Sequence, residues 1–162
     1  MLMGLAVQAR AADLENTLYL DVSYGRIVIE LRPDLAPNHC KRIKELVRRG
    51  FYDGLTFHRV IKGFMAQTGD PLGNGSGGTG HKIKAEFSNE PFVRGVVGMA
   101  RSDDPDSADS QFFIMTGPKA SLDHLYTVLG KVVSGMDYVD QIKAGTEEDN
   151  GAVADPDRIV RM

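Results

Sequence analysis

The chain contains no tryptophan, a single cysteine (Cys40), only 7% aromatic residues, and no large excess of either charge, its formal net charge being −3. Each shortage removes a class of answers. One cysteine can close no intrachain disulfide and build no cysteine-based zinc site. A slightly acidic balance lacks the basic footprint of a general nucleic-acid binder. The basic residues do not gather into one block, so an anionic membrane surface is not implied as a partner. No run approaches the roughly 18 apolar residues of a membrane-spanning helix. What the chain has in quantity is glycine, 18 of 162 residues, which marks a turn-rich protein. With 42% apolar and 25% charged residues it has the balance of a soluble globular protein. Its length suits one domain able to bury a core without staples.

The first dozen residues stand apart. Residues 1–7 are apolar, and Ala9-Arg10-Ala11 before Ala12-Asp13 has the small-x-small form of a signal cleavage site, although the positive start of a complete signal is missing. Residues 1–12 are therefore read either as the remnant of a signal peptide, which favours the bacterial periplasm, or as a disordered N-terminus of a cytoplasmic protein. Residues 13–162 form the expected domain, with monomer as the default state.

Hydrophobic periodicity predicts strands at 17–22 and 26–32, joined by a short Ser23-Tyr24-Gly25 connection. Pro37 suits a first helical position, and Cys40, Ile43, Leu46 and Val47 recur at helical spacing before a stop at Gly50. Further short strands are predicted at 56–61, 64–68, 95–100, 111–116 and 127–133, then a helix over 136–143 and a closing strand at 158–162. Short strands at such spacing, with only two helices, indicate an antiparallel sandwich or barrel.

Several chemical constellations fail on inspection. Gly73-Asn74-Gly75-Ser76-Gly77-Gly78 has G-x-G-x-x-G spacing, but no helix start follows to supply amide donors, so it reads as a flexible surface loop. Asp103, Asp104, Asp106 and Asp109 miss the calcium-loop spacing and read as a solvated acidic loop. His39, His58, His81 and His124 show no metal-ligand pairing, and no nucleophile elbow occurs. His58 reads as a buried, hydrogen-bonded structural residue, and Cys40 as inert core.

One segment is harder to set aside. In residues 57–70, FHRVIKGFMAQTGD, two strand-like runs flank a glycine. Arg59 is either a solvated strand residue or a guanidinium beside Phe64, Met65 and Gln67 in an apolar groove. Phe112 and Phe113 must point to opposite faces of their strand, one into the core and the other outward or into a concavity.

These segments resemble the cyclophilin family of peptidyl-prolyl cis-trans isomerases. The resemblance rests on F-H-R-V-I-x-G-F-M-x-Q-x-G-D at 57–70, G-N-G-S-G-G at 73–78 and G-x-x-G-M-A at 95–100. It continues through S-Q-F-F-I at 110–114, L-D at 122–123 and L-G-K-V at 129–132, so it covers nearly the whole chain. It implies an all-β fold, a closed eight-stranded antiparallel β-barrel capped by two α-helices, and isomerisation of X–Pro bonds during protein folding. It implies catalytic roles for Arg59, Gln67 and Phe113, with Phe64, Met65, Ala100, Arg101, Gln111, Ser121, Leu122 and Tyr126 binding substrate. Gln111 is expected to orient Arg59 and Gln67. The expected partners are proline-containing polypeptides, unfolded or partly folded, and no metal or other cofactor is needed. The alternative is a non-catalytic module that only binds proline-containing partners, but such a protein should lose the Arg or the pocket aromatics, which this chain keeps. Ser121 stands where many eukaryotic members have Trp, Tyr126 where they have His, as in bacterial members, and Arg101 where they have Asn. A cyclosporin-type ligand is accordingly expected to bind weakly.

Overall fold

A computed structural model describes residues 13–162. The reading of residues 1–12 lies outside the described residues. Strands β1 (Thr17–Val22) and β2 (Gly25–Leu31) form a hairpin in which Val22 pairs with Gly25 across a two-residue turn. Leu18, Leu20, Val22, Ile27, Ile29 and Leu31 alternate into the core, the period of a sheet with one buried face. At Gly25 the backbone lies so close to Tyr138 that a Cβ would meet its ring at 2.5 Å.

Helix α1 (Pro37–Arg48) starts on proline and buries His39, Cys40, Ile43 and Leu46. Its first turn is held from outside, because Glu86 accepts from the backbone N–H groups of Asn38 (3.2 Å) and His39 (2.8 Å). Such a carboxylate satisfies amide donors that have no partner within the helix. Gly50, at φ +69°, ends it in the left-handed region that glycine adopts without strain.

The remaining strands are β3 (Arg59–Ile61), β4 (Met65–Thr68), β5 (Val96–Met99), β6 (Phe112–Met115) and β7 (Val128–Ser134), followed by helix α2 (Met136–Gln141). They form one antiparallel seven-stranded sheet in the order β1-β2-β7-β5-β6-β4-β3. This corrects the expectation of a closed barrel with an eighth strand at 158–162. That segment lies between the two sheet edges and, among the described residues, makes only single bridges, Thr56 to Arg158 and Asp21 to Arg161. Ile159 donates to Leu55 O and Val160 donates to Asp21 O, both at 2.8 Å. Successive backbone groups thus serve different edges, and neither side builds a ladder.

Two apolar clusters result. The larger one packs α1 and α2 residues with Tyr52, Phe57 and Phe112, while a smaller one gathers Met65, Phe92, Val96, Phe113, Met115 and Val128. Phe112 and Phe113 therefore belong to different clusters. The smaller one underlies the site.

Candidate active site

The β3–β4 hairpin turns at Gly63, at φ +76°, and its register sets Arg59 opposite Gln67 and Ile61 opposite Met65. The next pairing sets Gln67 opposite Phe113, and the one after sets Phe113 opposite Gly98. Directly opposed residues share a face of the sheet. One row across β3, β4, β6 and β5 therefore presents a guanidinium, an amide, a phenyl ring and a gap. The gap is needed: a Cβ on Gly98 would lie 2.5 Å from Phe113 Cζ and 2.7 Å from Phe92 Cε1. With no side chain there, Phe92 and Phe113 sit 5.8 Å apart, and Tyr126 stands edge-on to Phe113 at 6.0 Å.

The polar end of the row is tied together by amides. Arg59 Nη1 donates to Gln67 Oε1 at 3.5 Å, and Gln67 Nε2 donates to Gln111 Oε1 at 2.9 Å. Gln111 Nε2 in turn donates to the carbonyls of Gly75 (3.0 Å) and Gly77 (2.9 Å). Those carbonyls only accept, so they fix the Gln111 amide and, through it, the Gln67 oxygen toward Arg59. The glycine-rich segment, expected to be a flexible surface loop, does lie at the surface but is held by hydrogen bonds. Buried Asp70 gathers it by accepting from the backbone N–H groups of Leu72 (2.8 Å), Asn74 (3.0 Å) and Gly75 (2.5 Å). Asp109 is likewise engaged, not merely solvated, accepting from Thr79 and Gly80.

Above this row lies a cavity of about 650 Å³. Arg59, Phe64, Met65, Gln67, Ala100, Arg101, Phe113, Leu122 and Tyr126 all line it. Gln111 lines an adjoining cavity of about 480 Å³ that shares Gln67, Gly75, Ala100 and Arg101 with the first. Ser121, exposed on the single turn Ala120–Leu122, lines neither. Arg101 is fixed on the rim, with its guanidinium 4.6 Å from the centre of the Tyr126 ring and its Nε donating to Leu125 O at 3.0 Å.

Sequence reasoning missed the wall formed by Asp149, Asn150, Ala152 and Val153. Its one signal is the Asn150-Gly151 pair, a composition typical of positive φ, found here at +52° and +80°. His58 also departs from expectation. It is buried, yet it lines the cavity, and neither ring nitrogen has a hydrogen-bond partner among the described residues. Burial pushes its pKa below the ordinary value, outweighing the nearby Asp70 carboxylate. Burial also pushes the Cys40 thiol up to about 11, so it holds its proton at neutral pH.

Residues 17–162 match the family model for cyclophilin-type peptidyl-prolyl cis-trans isomerases. The chain belongs to the cyclophilin family. It is 56% identical, over 171 aligned residues, to a Brucella suis protein described as a probable peptidyl-prolyl cis-trans isomerase, covering 98% of this chain and 87% of that protein. It is 43% identical to peptidyl-prolyl cis-trans isomerase B of Bacillus subtilis, covering 75% of this chain and 85% of that one. Among solved structures, cyclophilin AquaCyp293 from Hirschia baltica superposes with a TM-score of 0.82 at 28% identity, over 94% of this chain and 74% of that one. A Cryptosporidium parvum cyclophilin, solved in the presence of the dipeptide Ala-Pro, gives a TM-score of 0.81 at 28% identity, over 90% and 96% of the two chains. The chain is thus an isomerase of the cyclophilin type, and the row from Arg59 to Gly98 belongs to its cyclophilin fold.

Proposed function

We propose that X–Pro bonds of unfolded or partly folded polypeptides are turned over in the cavity of about 650 Å³, with Arg59 as the donor that stabilises the twisted amide. The observation that carries this reading is the cross-strand row in which Arg59 faces Gln67 and Gln67 faces Phe113. Amide resonance sets a rotation barrier of about 18–20 kcal/mol. Halfway through rotation that resonance is lost, and the prolyl nitrogen becomes pyramidal with a localised lone pair. A guanidinium held at that nitrogen binds the twisted state better than either planar isomer. No bond is made or broken, so a fixed donor and a shaped pocket supply the required chemistry.

Phe64, Met65, Phe113 and Leu122 form the apolar side of the cavity, suited to a pyrrolidine ring. In this reading Gln67 and the backbone at Ala100 and Arg101, which line the same cavity, anchor the peptide flanking the proline. The Ala-Pro dipeptide accompanying the Cryptosporidium cyclophilin supports a proline-containing ligand. Arg59→Ala tests the reading: isomerisation of a short proline peptide should fall by orders of magnitude, with the melting temperature nearly unchanged. Turnover equal to wild type would remove Arg59 from the mechanism.

A further inference from the structure

Arg59 is held most firmly from outside the sheet. Its Nε donates to the backbone oxygen of Asn150 at 2.9 Å, and its Nη2 donates to Asn150 Oδ1 at 3.1 Å. These two nitrogens form the side-on edge of the guanidinium, so a single residue accepts from that whole edge. The remaining link, from Nη1 to Gln67, is stretched at 3.5 Å.

Asn150 is itself placed by backbone contacts. Its N–H donates to Glu147 O at 3.0 Å, and the next N–H, of Gly151, donates to Thr146 O at 2.8 Å. Val60 N donates to Gly151 O at 2.8 Å, Gly145 N donates to Val60 O at 2.9 Å, and Val153 N donates to His58 O at 3.1 Å. Residues 145–153 therefore dock along the open edge of β3, the strand that carries Arg59. At Gly151 a Cβ would meet Ile61 Cγ1 at 2.6 Å, so only glycine lets the segment come this close.

We infer that Asn150 is a positioning residue for isomerisation. It holds the side-on edge of Arg59 and leaves the Nη1–Nη2 end as the donor surface for the twisted amide. A donor fixed beforehand needs no reorganisation during rotation. This inference rests on the proposed role of Arg59.

Asn150→Gly keeps the positive φ and removes only the side-chain acceptor. It should lower kcat/KM about tenfold, the scale of a hydrogen bond to a charged group. KM for a proline peptide and the melting temperature should stay near wild type. Asn150→Asp restores an oxygen acceptor and should recover activity above that of Asn150→Gly. In an Arg59→Ala background, Asn150→Gly should change nothing further. The inference is overturned if Asn150→Gly stays within twofold of wild type, if KM rises by as much as kcat/KM falls, or if Asn150→Asp recovers nothing. If Arg59→Ala retains turnover, the role of Arg59 falls and this inference falls with it. If Arg59→Ala is inactive while Asn150→Gly is neutral, only the positioning role is lost.

Discussion

The Gln67 amide donates to the Gln111 oxygen at 2.9 Å, and this contact sets the orientation of both side chains. It joins two segments of the polar network: the hairpin that carries Arg59, and the loop whose Gly75 and Gly77 carbonyls hold Gln111.

Gln111→Glu should disconnect that network. A carboxylate has no N–H for the two glycine carbonyls and would face them with like partial charge. We expect kcat/KM to fall at least about tenfold, consistent with losing hydrogen bonds at a residue only 9% exposed. Backbone amide exchange at residues 75–78 should accelerate in the same variant. Unchanged rates of both isomerisation and exchange would show that the glycine loop and Arg59 are not coupled through Gln111.

Gly98→Ala should damage the floor of the cavity. Its Cβ would stand 2.5 Å from Phe113 Cζ and 2.7 Å from Phe92 Cε1, and both rings are almost fully buried. Phe92 cannot retreat without disturbing the smaller apolar cluster, and Phe113 can give way only toward the cavity it lines. Overpacking of this kind costs about 1–3 kcal/mol. Thermal unfolding should report that loss, and KM for a proline peptide should rise as Phe113 is pushed into the cavity. A variant with wild-type stability and KM would mean that the rings have slack the structure does not show.

How far these relationships were legible in the sequence depends on their range. The first hairpin, α1 and the β3–Gly63–β4 turn follow from local periodicity and glycine placement, and all three formed near the expected boundaries. The opposite destinations of Phe112 and Phe113 follow from strand alternation alone. The side chains of the Arg59 row were named through the family motifs, but Gly98 as its fourth member was not. That gap appears only when β5 is registered against β6, a pairing no local pattern encodes. The segment at 158–162 alternates like a strand, but alternation does not reveal that its backbone groups divide between two edges. Asn150 stands 91 residues from Arg59 and reads in sequence only as half of a turn.

Acidification should destabilise the protein through its two buried histidines. His39 is fully buried, with Nδ1 at 2.6 Å from Glu86 Oε1 and no partner for Nε2 among the described residues. Burial lowers its pKa below 6.5 and outweighs the pull of Glu86, so the neutral ring donates from Nδ1. His58 is lowered by burial in the same direction. Below about pH 6.5 the unfolded chain therefore takes up protons that the folded chain refuses, and stability falls as pH drops. Asp70 behaves differently. Burial pushes its pKa up, but backbone N–H groups from Leu72, Gly77, Asn74 and Gly75 more than offset this and hold it below 3.8. Its contribution is present above that value and is lost as pH falls through the folded pKa. Melting temperatures should decline between about pH 7 and 5, and the imidazole resonances of both histidines should titrate with midpoints below 6.5. Midpoints at or above that value would reverse the sign.

The composition of the rim governs binding of a large apolar ligand. Ser121 is exposed on the turn beside Leu122, which does line the cavity. An indole at that position could extend the apolar wall begun by Leu122, Phe113 and Tyr126. Covering about 60 Å² of ligand at ~25 cal/mol per Å² is worth about 1.5 kcal/mol, or roughly tenfold in affinity. Ser121→Trp should therefore tighten cyclosporin binding by about that factor in a calorimetric titration. It should leave turnover of a short proline peptide nearly unchanged, because Ser121 lines neither cavity. An unchanged cyclosporin affinity would mean that the 120–122 turn points position 121 away from the groove and that the wall ends at Leu122.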